Sequence, residues 1–249
     1  MRRLSALFAV VLVFGAVRAA RAEKPVSPDK IRVVLTYGGH DFAEKPFFAM
    51  FDRLAEVRYK KAPLPESAAL LQPDLRKTCD VLVMYDMIGR ITPQQQRDFI
   101  ALLERGIGVV SLHHNLGAHS GWDEFAKIIG GRYLRQSKTV QGKTYGPSAY
   151  EHDQTIHVTV ADRQHPITRG LGDFTIHDET YCHYFVDPGV HVLLCTNHPK
   201  NDANISWVKE YGASRVFYLM LGHDDQAWSH PAYPQLLDRA IHWAAGRLR

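Results

Sequence analysis

The stretch from Gly108 to Gly117, GVVSLHHNLG, limits what this chain can fold into more than any other. A short apolar, β-branched run ends abruptly in His113, His114 and Asn115. Val109, Val110 and Leu112 have the continuous apolar character of a parallel strand buried on both faces. In open α/β sheets, ligands sit just beyond the carboxyl ends of such strands, which is where these imidazoles fall. A plainer reading has one histidine packed in the core and the other solvated. Repetition favours the first reading. Val33-Val34-Leu35-Thr36 runs into Tyr37-Gly38-Gly39-His40-Asp41, and the segment from Arg215 to Leu221 runs into Gly222-His223-Asp224-Asp225. Three separate segments thus deliver a histidine to one edge of one sheet. Packing alone explains this poorly, because buried imidazoles need hydrogen-bond partners and exposed ones obey no positional rule.

The rest of the chain supplies that sheet. Ile31 to Thr36 reads as a first strand, Pro46 to Leu54 as a helix with Phe47, Met50, Phe51 and Leu54 at helical spacing, Val57 to Tyr59 as a second strand and Val81 to Tyr85 as a third. Thr92-Pro93-Gln94-Gln95 combines a Thr N-cap, Pro at the first helical position and Gln three residues on, which predicts a capped helix stopped by Gly106. Trp122 to Ile129 follows as a helix closed by Gly130-Gly131. Alternating strands and helices predict an α/β fold with a doubly wound, mostly parallel, flavodoxin-like sheet. From Tyr133 to Trp207 the texture changes to short β-like runs and turns, read as extra strands and long loops laid against the ligand edge. Arg215 to Leu219 returns to the sheet, and Pro234 to Ala245 closes the fold as a helix. No linker or repeat divides residues 31–249, so they form a single domain.

The chain opens with Arg2-Arg3, an apolar run from Leu4 to Val17 and Ala20-Arg21-Ala22. This predicts a secretory signal peptide over residues 1–22, a lead-in over 23–30 and a secreted or periplasmic protein. The apolar run is shorter than the roughly 20 residues that span a bilayer, so no stable membrane insertion is expected after cleavage. The formal charge of +4 includes Arg2, Arg3, Arg18 and Arg21. Their removal leaves a nearly balanced chain with no basic stripe for nucleic acid. Cys79, Cys182 and Cys195 lack C-x-x-C spacing, which argues against a disulfide framework or a zinc-thiolate site.

His177-Asp178-Glu179-Thr180-Tyr181 is the densest functional cluster of the second half. Neighbouring carboxylates on a strand point to opposite faces, and Glu179 is taken as the inward one. Together, His40, His113, His114, Glu179 and His223 form an imidazole and carboxylate set suited to a divalent transition metal, zinc first. Within it His113, Glu179 and His223 are the catalytic candidates. The competing reading is a metal-free polar cleft that binds a sugar. Asn115, Trp122, Asp178, Tyr181 and Asp224 are candidate substrate-binding residues, since an amphipathic aromatic beside polar groups suits the apolar face and hydroxyl rim of a carbohydrate. His152, Asp153, His165-Pro166 and Asp225 rank second.

With these residues in hand, the chain resembles the ThuA-like (trehalose utilisation) family, whose fold is similar to that of class I glutamine amidotransferases. The resemblance runs from about Ile31 to Trp243. It rests on Gly38-Gly39-His40, the Gly106 to His114 strand and turn, Gly130-Gly131, His165-Pro166, Asp178-Glu179-x-Tyr181 and Ser214-Arg215-Val216-Phe217-Tyr218 running into Leu221-Gly222-His223. Amidotransferase relatives carry a cysteine at the turn where this chain has His113, so thiolate-based glutamine hydrolysis lacks its nucleophile. Two departures from the family pattern, His113-His114-Asn115 at the turn and Ser214 before Arg215, bear on the substrate more than on the fold. The resemblance implies a role in sugar metabolism with a small-molecule carbohydrate partner, a sugar or 3-keto-glycoside; no nucleotide cofactor is expected, and a homo-oligomer is left open. For such a substrate the residue set itself suits metal-assisted proton abstraction by an isomerase or lyase, or hydrolysis. A non-catalytic carbohydrate-binding or accessory protein is the alternative. An esterase or amidase is disfavoured, since Ser111 lies within the strand and no G-x-S-x-G elbow occurs.

Overall fold

The structure is a computed structural model that describes residues 30–140 and 142–248. The signal peptide expected over residues 1–22, and the lead-in up to residue 29, lie outside the described residues. Among the described residues no helix is long and apolar enough to cross a membrane.

The first half follows its apolar periodicities. In order come β1 (Ile31–Gly38), α1 (Glu44–Asp52), β2 (Val57–Pro63), β3 (Val81–Asp86), α2 (Pro93–Glu104), β4 (Gly108–Leu112) and α3 (Asp123–Ile129). Strands β3 and β4 are buried along their whole length, which is why they read as unbroken apolar runs. Helix α2 starts on the expected capping box: Gln95 N donates to Thr92 Oγ1 at 3.2 Å, and Thr92 N donates to Gln95 Oε1 at 2.7 Å.

The second half contributes β5 (Gly131–Arg132), β6 (Lys138–Val140), β7 (Lys143–Tyr145), β8 (Ala149–Val160), β9 (Phe174–Cys182), β10 (Phe185–Val186), β11 (His191–Thr196), β12 (Asn204–Tyr211) and β13 (Ser214–Leu219). Two helices, α4 (Asp225–Ser229) and α5 (Ala232–Ala244), end the chain. Sequence periodicity did not disclose α4, whose five residues are too few to show a helical repeat.

One large sheet of order β2-β1-β3-β4-β13-β12-β11-β8-β9 organises the fold. Its four joints from β2 to β13 are parallel, and its four joints from β13 to β9 are antiparallel. This corrects one expectation. The extra strands of the second half do not simply lie against the ligand edge, because β12, β11, β8 and β9 extend the same sheet by direct pairing. Sheet neighbours lie about 4.8 Å apart, so a flat sheet would hold β9 about 19 Å from β13. Yet Asp178 on β9 accepts a hydrogen bond from Gly222 N, just past β13, at 2.7 Å. The antiparallel half therefore curls back over the carboxyl ends of the parallel strands. Only Val158–Val160 of β8 pairs with β11, while Ala149–Gln154 pairs with β9 alone and forms the ribbon at the rim of the resulting cleft.

Candidate functional site

Strand β4 ends at His113, whose φ of +48° breaks the extended chain into a 3-10 turn over His113–Gly117. A non-glycine residue held there is strained and needs its surroundings to fix it. Tyr218 Oη donates to His113 O at 3.0 Å. Asn115 ties the turn down from below: its Nδ2 donates to Asp86 O at 2.8 Å, and Ser111 Oγ donates to its Oδ1 at 2.6 Å. The imidazole is oriented too. Met220 O lies 2.6 Å from His113 Nδ1, and a carbonyl can only accept, so Nδ1 carries the proton and Nε2 faces the site.

The turn after β13 places the second imidazole. Gly222 has φ +115°, and a Cβ there would stand 2.3 Å from Tyr233 Oη, so only glycine fits. Tyr85 Oη and Trp228 Nε1 each donate to Gly222 O at 2.9 Å. From the other side, the buried Asp178 carboxylate accepts from Gly222 N, His223 N and Glu179 N at 2.7, 3.0 and 2.8 Å. Burial raises the Asp178 pKa against the pull of those donors and of His113.

Alternation along β9 turns the next residue, Glu179, the other way. Its Oε2 lies 3.1 Å from His113 Nε2 and 3.5 Å from His223 Nδ1, and the two nitrogens are 3.3 Å apart. Metal–ligand bonds near 2.05 Å in a tetrahedral site require ligand atoms about 3.3 Å apart, so this triangle fits a zinc-sized ion. Two histidines and one glutamate also leave a position open, as catalytic sites do. Without an ion, burial opposes a charge on His113, but Glu179 outweighs it and the imidazole pKa rises. Burial likewise works against the Glu179 carboxylate, yet His113 and His223 hold its pKa below the usual range.

A cleft of about 350 Å³ opens beside this cluster; of the triangle Glu179 lines it and His113 and His223 do not, the other lining residues being His40, Met87, His114, Gly117, Tyr133, Arg135, Tyr150, His152 and Tyr181. Among the described residues Glu179 is the one carboxylate of that lining. Tyr181 stacks on His113 with ring centroids 5.0 Å apart, and its hydroxyl lies 3.0 Å from Nε2. Burial raises its pKa well above 10, so the phenol remains a neutral donor.

The five-residue set expected to hold a metal divides. Among the described residues, His113, Glu179 and His223 bring ligand atoms together. His40 and His114 stand beside them, stacked at 4.6 Å, with His40 Nδ1 turned to Asp41 O and His114 Nε2 to Tyr85 O. Of the candidate substrate contacts only Tyr181 lines the cleft. Asn115 and Asp178 are buried supports of the two turns, and Asp224 caps α4 by accepting from Gln226 N and Ala227 N. Trp122 packs against Phe99 and Phe125 under α3. Tyr133, half-buried, and Arg135 and Tyr150, exposed, went unnoticed in the sequence because isolated aromatic and basic residues in a polar stretch carry no periodic signal. His152, a second-rank candidate, does enter the site.

A family model described as trehalose utilisation (ThuA) matches residues 28–244. A ThuA-like protein from Parabacteroides merdae superposes with a TM-score of 0.72 at 20% identity, covering 88% of this chain and 92% of that one. One from Bacteroides uniformis gives 0.66 at 19% identity, with coverages of 90% and 95%. The fold also matches part of a β-galactosidase from Bacillus circulans, with a TM-score of 0.56 at 9% identity over 88% of this chain and 31% of that one. A search of curated proteins gives no match. With a family model spanning nearly all of the described fold, this chain belongs to the ThuA family.

Proposed function

We propose that this chain is an exported enzyme of carbohydrate metabolism, acting on a sugar or 3-keto-glycoside with the help of a divalent transition metal, zinc first, held by His113, Glu179 and His223. The observation that carries the reading is the triangle of ligand atoms 3.1, 3.3 and 3.5 Å apart beyond the carboxyl ends of parallel strands, joined to the cleft through Glu179. The description of its family, trehalose utilisation, supports the substrate class. When bound, the metal supplies Lewis-acid polarisation of a carbonyl or glycosidic oxygen.

The chain's own groups supply the remainder. Tyr133 and Tyr150 offer ring faces to the apolar side of a pyranose. Tyr181, neutral and buried, donates a hydrogen bond to oxygen that gains negative charge. Glu179 accepts the proton released from the carbon next to the carbonyl through Oε1, the oxygen turned away from His113 and His223. In isomerisation Glu179 returns that proton to the adjacent carbon; in elimination it gives the proton to the departing glycosidic oxygen as the C–O bond breaks. Hydrolysis uses the same groups with water as the nucleophile. The test is turnover of a panel of glycosides and 3-keto-glycosides by the wild type and a His113→Ala/Glu179→Ala double variant. Loss of turnover by at least a hundredfold in the folded variant is expected, and equal turnover removes the basis of the reading.

A further inference from the structure

The ribbon at the cleft rim contains an irregularity whose effect falls on the proposed metal cluster. Between Glu151, which pairs with Thr180, and Gln154, which pairs with Asp178, β8 spends three steps where β9 spends two. One extra residue on one strand is a β-bulge, a device that re-aims a side chain next to functional sites. Asp153 takes the left-handed conformation that this requires, with φ +58°. The bulge leaves His152 opposite Glu179. Its Nδ1 lies 3.1 Å from Glu179 Oε1, and its ring centroid is 4.6 Å from that of His223. A carboxylate oxygen accepts, so the Nδ1–H of His152 donates to Oε1. The opposite oxygen, Oε2, is the one that faces His113 and His223.

We propose that His152 is a positioning residue: aimed by the β8 bulge, it holds Oε1 of Glu179 so that Oε2 is presented to the metal. The inference rests on the metal reading above and adds a residue outside the ligand set. It follows from a general feature of metal sites, where a hydrogen bond to the free atom of a ligand fixes its orientation and basicity, and where losing that bond lowers affinity about 10–100-fold. The position also permits a clean test. The His152 side chain is 49% exposed while that of Glu179 is 5% exposed, so truncating His152 removes a hydrogen bond and little packing.

The test is titration of untagged, metal-stripped protein with cobalt(II), following the visible d–d absorption and the dissociation constant for the wild type, His152→Ala and His152→Asn. Asn is chosen because its amide nitrogen can stand where Nδ1 stands. Thermal unfolding of the metal-free proteins controls for folding. The expected result is at least tenfold weaker cobalt binding by His152→Ala, with a changed absorption envelope and an unchanged metal-free midpoint. His152→Asn should bind within about threefold of the wild type. Equal affinity and identical spectra for the wild type and His152→Ala would overturn the positioning role while leaving the metal reading intact. Failure of the wild type to take up cobalt would overturn both.

Discussion

Replacing Gly222 with alanine probes the joint between fold and site. The backbone there has φ +115°, a region that costs an L-residue about 1–3 kcal/mol. The new methyl would stand 2.3 Å from Tyr233 Oη and 2.8 Å from the ring carbons Cε2 and Cζ, so Tyr233, fully buried, must move. Forced shifts in a packed core cost a further ~1–3 kcal/mol, which gives a total of roughly 2–6 kcal/mol. Tyr233→Phe separates the contributions. Among the described residues the hydroxyl has no hydrogen-bond partner, so its removal alone should be neutral or stabilising by up to ~1 kcal/mol. In the double variant Gly222→Ala/Tyr233→Phe the contact with the hydroxyl disappears, and about 1 kcal/mol or more should be recovered. Urea unfolding of the four proteins reads the cycle as shifts of midpoint at constant slope. On the proposed metal reading, Gly222→Ala should also weaken metal binding, because the same turn carries His223. A Gly222→Ala protein within 0.5 kcal/mol of the wild type would refute the reasoning.

Acid and neutral pH should act on two carboxyls in opposite senses. Burial pulls the Asp80 carboxyl upward, but the Arg32 guanidinium and backbone N–H, with Arg76, bring it down to about 2. A depressed folded pKa means stability that is complete above ~pH 4 and lost as pH falls through 2. Two units would be worth ~2–3 kcal/mol, and solvent screening of the partly exposed pair reduces this to ~1 kcal/mol, absent in Asp80→Asn. Asp86 is the reverse case: burial pushes it up to about 6, opposed by the Thr36 hydroxyl and the backbone N–H groups of Asp86 and Ile88, and among the described residues its Oδ2 has no well-formed hydrogen bond. Its stabilising contribution is full below ~pH 4 and lost as pH rises through 6, so Asp86→Asn should be ~1–3 kcal/mol more stable than the wild type at pH 8, and an equal or lower midpoint there counts against the assignment. Thr92→Ala should cost ~1 kcal/mol through loss of the α2 cap, measured by denaturant unfolding, and no change would mean that the cap is frayed in solution.

How much of this was legible in the sequence depends on the range of the forces involved. The turns at His113 and His223 could be read because an apolar strand and a polar turn abut within a few residues. Strand alternation is local geometry, so Asp178 and Glu179 could be sent to opposite faces, but alternation does not say which of the two meets the cleft. The curl of the sheet could not be read, since it depends on pairing between β11, β12 and β13 and on the Asp178 bonds to a turn 44 residues away. Nor could the bulge: Glu151-His152-Asp153 is polar and exposed, and nothing in its composition distinguishes a bulge from a regular edge. Trp122 and Asp224 have residue types suited to ligand contacts but serve packing and capping, and only their neighbours in space decide between the two roles.

The proposed metal site at His113, Glu179 and His223 is the centre of this account, and metal content tests it most directly. Untagged protein, reconstituted with zinc and dialysed, should carry close to one equivalent by mass spectrometry, and the His113→Ala protein should carry far less while keeping its fold. Wild-type protein that holds no transition metal after reconstitution, or a His113→Ala variant that holds as much as the wild type, would contradict it.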